Sequence, residues 1–159
     1  MRAPDGGGLR SSEAVDGGVS LVLNNTLDAV EDGRRALMAY FEQHALDTQA
    51  IHRLEVIFEE LVSNTVRHGF RDEDPHSIRV AVALTDDTIE LTMEDDGAPF
   101  NLLGSSDPAR FTSLDDARLG GLGIPLVKRL SKSVRYSSPG RIEGGITVRN
   151  RLEVSISGD

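Results

Sequence analysis

Three short stretches carry side chains whose types and spacing could do chemistry. In Glu59-Glu60-Leu61-Val62-Ser63-Asn64-Thr65-Val66-Arg67-His68-Gly69, the residues Glu60, Asn64 and His68 stand four apart, so a helix would hold them along one face. An amide oxygen is a hard ligand suited to magnesium, and a carboxylate beside it can orient or deprotonate an attacking hydroxyl. The same triplet also suits the solvated face of an amphipathic helix. In Met93-Glu94-Asp95-Asp96-Gly97-Ala98-Pro99-Phe100, an Asp at the end of a strand can aim its carboxylate into a cleft. An acceptor-only group there would take a hydrogen bond from an exocyclic amine such as adenine N6, although Asp-Asp-Gly also makes a plain turn. Gly120-Gly121-Leu122-Gly123 runs straight into Ile124-Pro125-Leu126-Val127. Glycines let the backbone approach a ligand and a helix N-terminus attracts an anion, phosphate above all, while a flexible linker has a similar composition. No Gly-Lys-Ser/Thr follows, so this is not a Walker A loop, and it lies in no βαβ unit of the dinucleotide-binding kind.

Regular elements must hold these residues in place. Val19, Leu21 and Leu23 alternate as in a short strand, which Asn24 and Asn25 break. Leu27, Val30, Leu37, Tyr40 and Phe41 predict a helix with Gly33 as its weak point. Asp47 or Thr48 caps a second helix whose stripe is Ile51, Leu54, Ile57, Phe58, Leu61, Val62 and Val66, ending around His68 and Gly69. Ile78 to Leu84 and Ile89 to Met93 form a hairpin about residues 85–88. Asp96 to Leu119 shows no period and reads as a functional loop or lid. A helix from Gly123 to Leu130 tolerates Pro125 in its first turn. Val134 to Tyr136 and Gly145 to Ile156 supply the last strands, with a turn around Pro139-Gly140. This order predicts an α+β, two-layer α/β sandwich with helices on one face of a mixed, mostly antiparallel sheet.

Bulk properties narrow the classes. With 159 residues the chain can bury a single core, so residues 19–159 read as one domain and residues 1–18, rich in Gly, Ser and charge, as a disordered tail. A net charge of −9 argues against direct nucleic-acid binding, which draws on clustered Lys and Arg. A nucleotide stays open, because one magnesium ion and a few backbone N–H groups can hold a triphosphate on an acidic protein. The absence of cysteine excludes disulfides, thiolate zinc and a thiol nucleophile. Neither a membrane-spanning run nor a secretory signal is read, so the cytoplasm is the expected compartment and a membrane is not an expected partner.

Taken in order, Glu-x-x-x-Asn with a following His-Gly, Asp-x-Gly-x-x-Phe, a lid, and Gly-Gly-Leu-Gly before a helix resemble the N, G1 and G2 boxes of the GHKL ATPase superfamily. The chain looks most like its anti-sigma-factor serine kinase branch, through the segment from Glu60 to Phe70 and through Leu126-Val127-Lys128-Arg129-Leu130 with Val134-Arg135-Tyr136. The resemblance covers about residues 19–156 and implies the Bergerat ATP-binding fold. It implies that Asn64 ligates Mg2+ bridging the phosphates of ATP and that Glu60 is the general base toward a serine hydroxyl. It implies further that Asp95 reads the adenine amine, that Gly97 lets the base approach, and that Gly121 and Gly123 hold the phosphates under the lid. Thr147 is the loose counterpart of the last box near the adenine. Arg110 and Arg118 are candidate cationic lid residues, although each reads first as an ordinary surface arginine. Glu59 is the rival of Glu60, but it stands five residues before Asn64 and points off that face. His68 reads as a helix-end residue rather than a catalyst.

The function so implied is an anti-sigma regulatory factor with serine kinase activity. It would sequester a sigma factor, phosphorylate a serine of a STAS-type antagonist, and act as a homodimer. The alternative is an ATP-dependent protein-binding module of the same fold without catalysis, which would have no use for Glu60. A histidine-kinase catalytic domain is disfavoured, since no helix pair with a phosphoacceptor His is read ahead of residue 19.

Overall fold

The computed structural model describes residues 7–70, 72–97, 123–138, 141–143, 146–148 and 150–159. Among them the elements follow as β1 (Leu9–Val15), β2 (Gly18–Asn24), α1 (Asp28–Phe41), α2 (Thr48–His68), β3 (Ser77–Thr85), β4 (Thr88–Asp95), α3 (Gly123–Leu130), β5 (Ser133–Ser137), β6 (Arg141–Glu143), β7 (Ile146–Val148) and β8 (Asn150–Ser157). Six strands form one sheet in the order β1-β2-β3-β4-β8-β5, and β6 with β7 makes a separate ribbon. Every described ladder is antiparallel. Between β2 and β3 the chain makes two helical passes rather than one, so it re-enters the sheet running against β2. A single crossover helix would have returned it parallel.

Period-two alternation assigns one face of the sheet to the core. Leu21 and Leu23 of β2, Ile78, Val80 and Val82 of β3, Ile89, Leu91 and Met93 of β4, and Leu152, Val154 and Ile156 of β8 are all buried. They meet Ala29, Leu37 and Phe41 of α1, Leu54, Ile57, Phe58, Leu61 and Val62 of α2, and Ile124 and Val127 of α3. The other face carries a row of charges across the strands, with Arg151 at 3.4 Å from Glu94 and Arg135 at 2.9 Å from Glu153. The molecule is therefore the two-layer sandwich expected. Gly33, the weak point of α1 by propensity, sits where the helices meet: a Cβ there would lie 2.6 Å from Phe58 Cζ.

Two expectations are corrected. Residues read as the disordered tail contain β1, which pairs with β2 from Leu9 opposite Leu23 to Val15 opposite Gly18. This strand has few apolar residues because it is an edge strand and mostly exposed, so burial left little pattern to read. The stretch from Gly145 to Ile156 holds two strands rather than one, β7 in the ribbon and β8 inserted between β4 and β5.

Candidate functional site

Helix α2 carries the first group of candidate residues. Asp47 caps it, accepting from the backbone N–H of Gln49 at 2.9 Å and of Ala50 at 3.2 Å, and Gly69 closes it with a bond to the Thr65 carbonyl at 2.8 Å. Near its end Asn64 is only 3% exposed, and its Nδ2 donates to the Glu60 backbone carbonyl at 2.8 Å. A carbonyl only accepts, so the amide nitrogen must face it, which leaves Oδ1 as the atom available to a cation. Glu60 is half-buried, and its carboxylate has no hydrogen-bond partner among the described residues. Burial pushes its pKa above the ordinary carboxylate value, the charge of Glu59 adds to this, and Arg67 draws it partly back. Glu59 faces α1 instead, 3.8 Å from Arg34, which also pairs with Glu55 at 3.1 Å and Glu31 at 2.7 Å.

Strand β4 ends at Asp95, in step with Ile89, Leu91 and Met93, so its carboxylate lies on the core face of the sheet and is 8% exposed. Oδ1 accepts from the Gly97 N–H and from Asn150 Nδ2, both at 2.9 Å. Burial raises the pKa of Asp95 above the ordinary value, while the bonds from Asn150 and Gly97 oppose that rise. Oδ2 is left as the acceptor for a ligand donor. Gly97 is required by contact: a Cβ there would lie 2.2 Å from the Gly69 carbonyl oxygen and 3.0 Å from Asp95 Oδ1. The end of α2 and the turn after β4 thus touch directly, and α3, beginning at Gly123, packs on α2 through its buried Ile124 and Val127.

Asn150 was not among the residues singled out. It stands opposite Asp95 in the β4–β8 register, 7% exposed, and also donates to the Gly97 carbonyl at 3.1 Å. Its Oδ1 accepts from the Tyr136 hydroxyl at 2.6 Å. Thr147, the residue singled out nearby, lies on β7 opposite Ile142, in the ribbon that touches β4. Gly121, Arg110 and Arg118 lie outside the described residues.

Together these groups offer a buried acceptor for an amine, an amide oxygen for a hard cation, and a carboxylate with a raised pKa. Among the described residues no three His, Asp or Glu side chains converge to hold a metal, so a cation here would depend on Asn64 together with ligand oxygens and water. A family model described as the histidine kinase-like ATPase domain matches residues 23–150, from the end of β2 to Asn150. The chain belongs to that family. Proteins similar to it include the serine-protein kinase RsbW of Listeria monocytogenes serotype 4a (strain HCC23), 28% identical over 121 residues that cover 74% of this chain and 77% of that protein. The anti-sigma F factor of Oceanobacillus iheyensis is 24% identical over 105 residues, covering 66% and 72%. The serine/threonine-protein kinase BtrW of Bordetella bronchiseptica is 29% identical over 83 residues, covering 52% and 58%. These names match the anti-sigma-factor serine kinase branch that the motifs of this histidine kinase-like ATPase domain resemble. Among its described residues no helix is long and apolar enough to cross a membrane.

Proposed function

We propose that this chain is an ATP-dependent protein serine kinase that also holds a sigma factor or similar regulator and phosphorylates a serine of a STAS-type antagonist. The observation that carries the proposal is the junction at Gly97 and Gly69, which joins the turn bearing Asp95 to the helix bearing Glu60 and Asn64. Asp95 Oδ2 accepts from the adenine N6 amine, and Gly97 leaves room for the base. Backbone N–H groups of Gly121 and of Gly123, where α3 begins, hold phosphate, helped by Arg118, and Thr147 lies near the adenine. Asn64 Oδ1 would hold Mg2+, which when bound neutralises charge on the triphosphate. Glu60 takes the proton of the incoming serine hydroxyl as its oxygen bonds to the γ-phosphorus. The bond from that phosphorus to the β–γ bridging oxygen breaks, and ADP leaves with the electron pair. The names of the relatives and the retained carboxylate at Glu60 support this reading, and the cytoplasm and a homodimer are its expected setting.

Phosphoryl transfer rests on positioning and on placing one base, so removing the base isolates chemistry from binding. With γ-labelled ATP, magnesium and a STAS-type protein from the same genome, Glu60→Gln should lose about a hundredfold or more of the serine labelling while ATP affinity stays near wild type. Labelling unaffected by the substitution removes Glu60 from this role. Unlabelled antagonist with both proteins, despite nucleotide binding, favours the non-catalytic binding module instead.

A further inference from the structure

His76 lies outside the three motifs, just ahead of β3, and both ring nitrogens meet carboxylates. Nε2 is 2.7 Å from Asp72 Oδ1 and Nδ1 is 3.0 Å from Asp96 Oδ1. The ring stacks on Phe70, with centroids 4.5 Å apart and planes 16° from parallel. Its backbone is fixed as well: the N–H donates to Asn25 Oδ1 at 3.0 Å, and the carbonyl accepts from the Asn25 N–H at 3.2 Å. We infer that His76 is a positioning residue for the nucleotide site. As an imidazolium it pins Asp96, and with it the turn bearing Asp95 and Gly97, to the segment leaving α2, so adenine-nucleotide affinity is linked to the protonation of this ring. The inference rests on the reading that Asp95 receives the adenine.

The geometry sets the protonation state. Ionised carboxylates only accept, so both ring nitrogens must donate, and only the imidazolium has two N–H groups. A neutral ring would turn a lone pair toward one of its two carboxylates. The described charged groups that face the ring are Asp72 from the segment before β3 and Asp96, with Asp95 beyond it, from the turn after β4; Phe70 and Asn25 are uncharged. The bond to Asp72 raises the pKa of His76, burial opposes it, and Asp96 adds to the rise. The same partnership holds Asp72 below its ordinary value. The clamp is therefore closed at pH values below the raised pKa and opens as pH climbs through it. The shorter contact keeps the remaining proton on Nε2 toward Asp72, so the bond to Asp96 is the one released, and the turn beside Asp95 loosens.

The test is calorimetry of Mg-ADP binding between about pH 6.5 and about pH 9, with a parallel NMR titration of the His76 ring. Wild type is compared with His76→Gln and Asp96→Asn, and the comparison cancels the titration of the ligand itself. Wild-type affinity should fall about fivefold more than that of His76→Gln across the range, as part of one charge-assisted hydrogen bond is lost. Asp96→Asn should lower the ring pKa and reproduce the shallower profile of His76→Gln. If His76→Gln does not fold, Asp96→Asn, which leaves the ring on Asp72, carries the comparison. Identical affinities and slopes in all three proteins overturn the positioning role alone, as does a ring pKa at or below about 6.5. Failure of wild type to bind at any pH overturns the nucleotide reading, and this inference with it.

Discussion

Asn150 holds the oxygen of Asp95 that a ligand does not need, and the Tyr136 hydroxyl holds Asn150 in turn. Replacing it with Leu leaves the Gly97 carbonyl and the Tyr136 hydroxyl short of a partner, so Asn150→Leu should lower stability by about 1–3 kcal/mol. It also removes the bond that draws the pKa of Asp95 down, so that pKa should climb further. An amine donor needs the ionised carboxylate, hence the loss of nucleotide affinity on acidification should set in at a higher pH than in wild type. Titration of affinity against pH checks this, and an unshifted profile would contradict it. Asp95 was legible from the chain through its place at a strand end and in the Asp-x-Gly box, and the alternation from Ile89 through Met93 puts it on the core face. The same alternation from Ile156 back through Leu152 reaches Asn150, but Asn150 belongs to none of the three motifs, and its partner Asp95 is set opposite it only by the pairing of β4 with β8. His76 was beyond the reach of pattern: Asp72 stands four residues before it, but Asp96 becomes its neighbour only when β3 and β4 pair.

At the scale of elements, long periodic segments were readable and edges were not. The cap at Asp47, the end of α2 at His68, the Asp86-Asp87 hairpin and the start of α3 at Gly123 all follow from local residue chemistry. Asp86 adopts φ 40°, a left-handed conformation that Asp tolerates in such a turn. β1 has no comparable pattern, although Asp16-Gly17, with Gly17 at φ 74°, is the turn chemistry of a hairpin. Gly33 reads as a helix weakness by propensity and is instead a place where α1 packs directly against Phe58 of α2. Gly33→Leu should therefore destabilise the protein by about 1–3 kcal/mol through overpacking against Phe58, despite the better helix propensity of Leu. A fall in the urea midpoint with an unchanged slope would show this; a rise would mean that the helix interface has room to spare.

For the whole molecule, the sheet order β1-β2-β3-β4-β8-β5 matters more than any single motif. Inserting β8 beside β4 brings Asn150 to Asp95 across about fifty-five residues of chain, and packing α2 over the same sheet brings Gly69 to Gly97. On β4 and β8 the apolar layer stops at this end of the sheet, where Asp95 and Asn150 follow the buried pairs Met93–Leu152, Leu91–Val154 and Ile89–Ile156. A polar pair buried at the edge of a core stabilises little by itself and fits a ligand that completes its hydrogen bonds. That ligand is the central claim, and titration calorimetry of wild type and Asp95→Asn with ATP and magnesium tests it most directly. Wild type should bind one nucleotide per chain, and the substitution should weaken binding at least about tenfold, the loss of one hydrogen bond to a charged group. No heat of binding with wild type, or equal affinity in the two proteins, would contradict the claim.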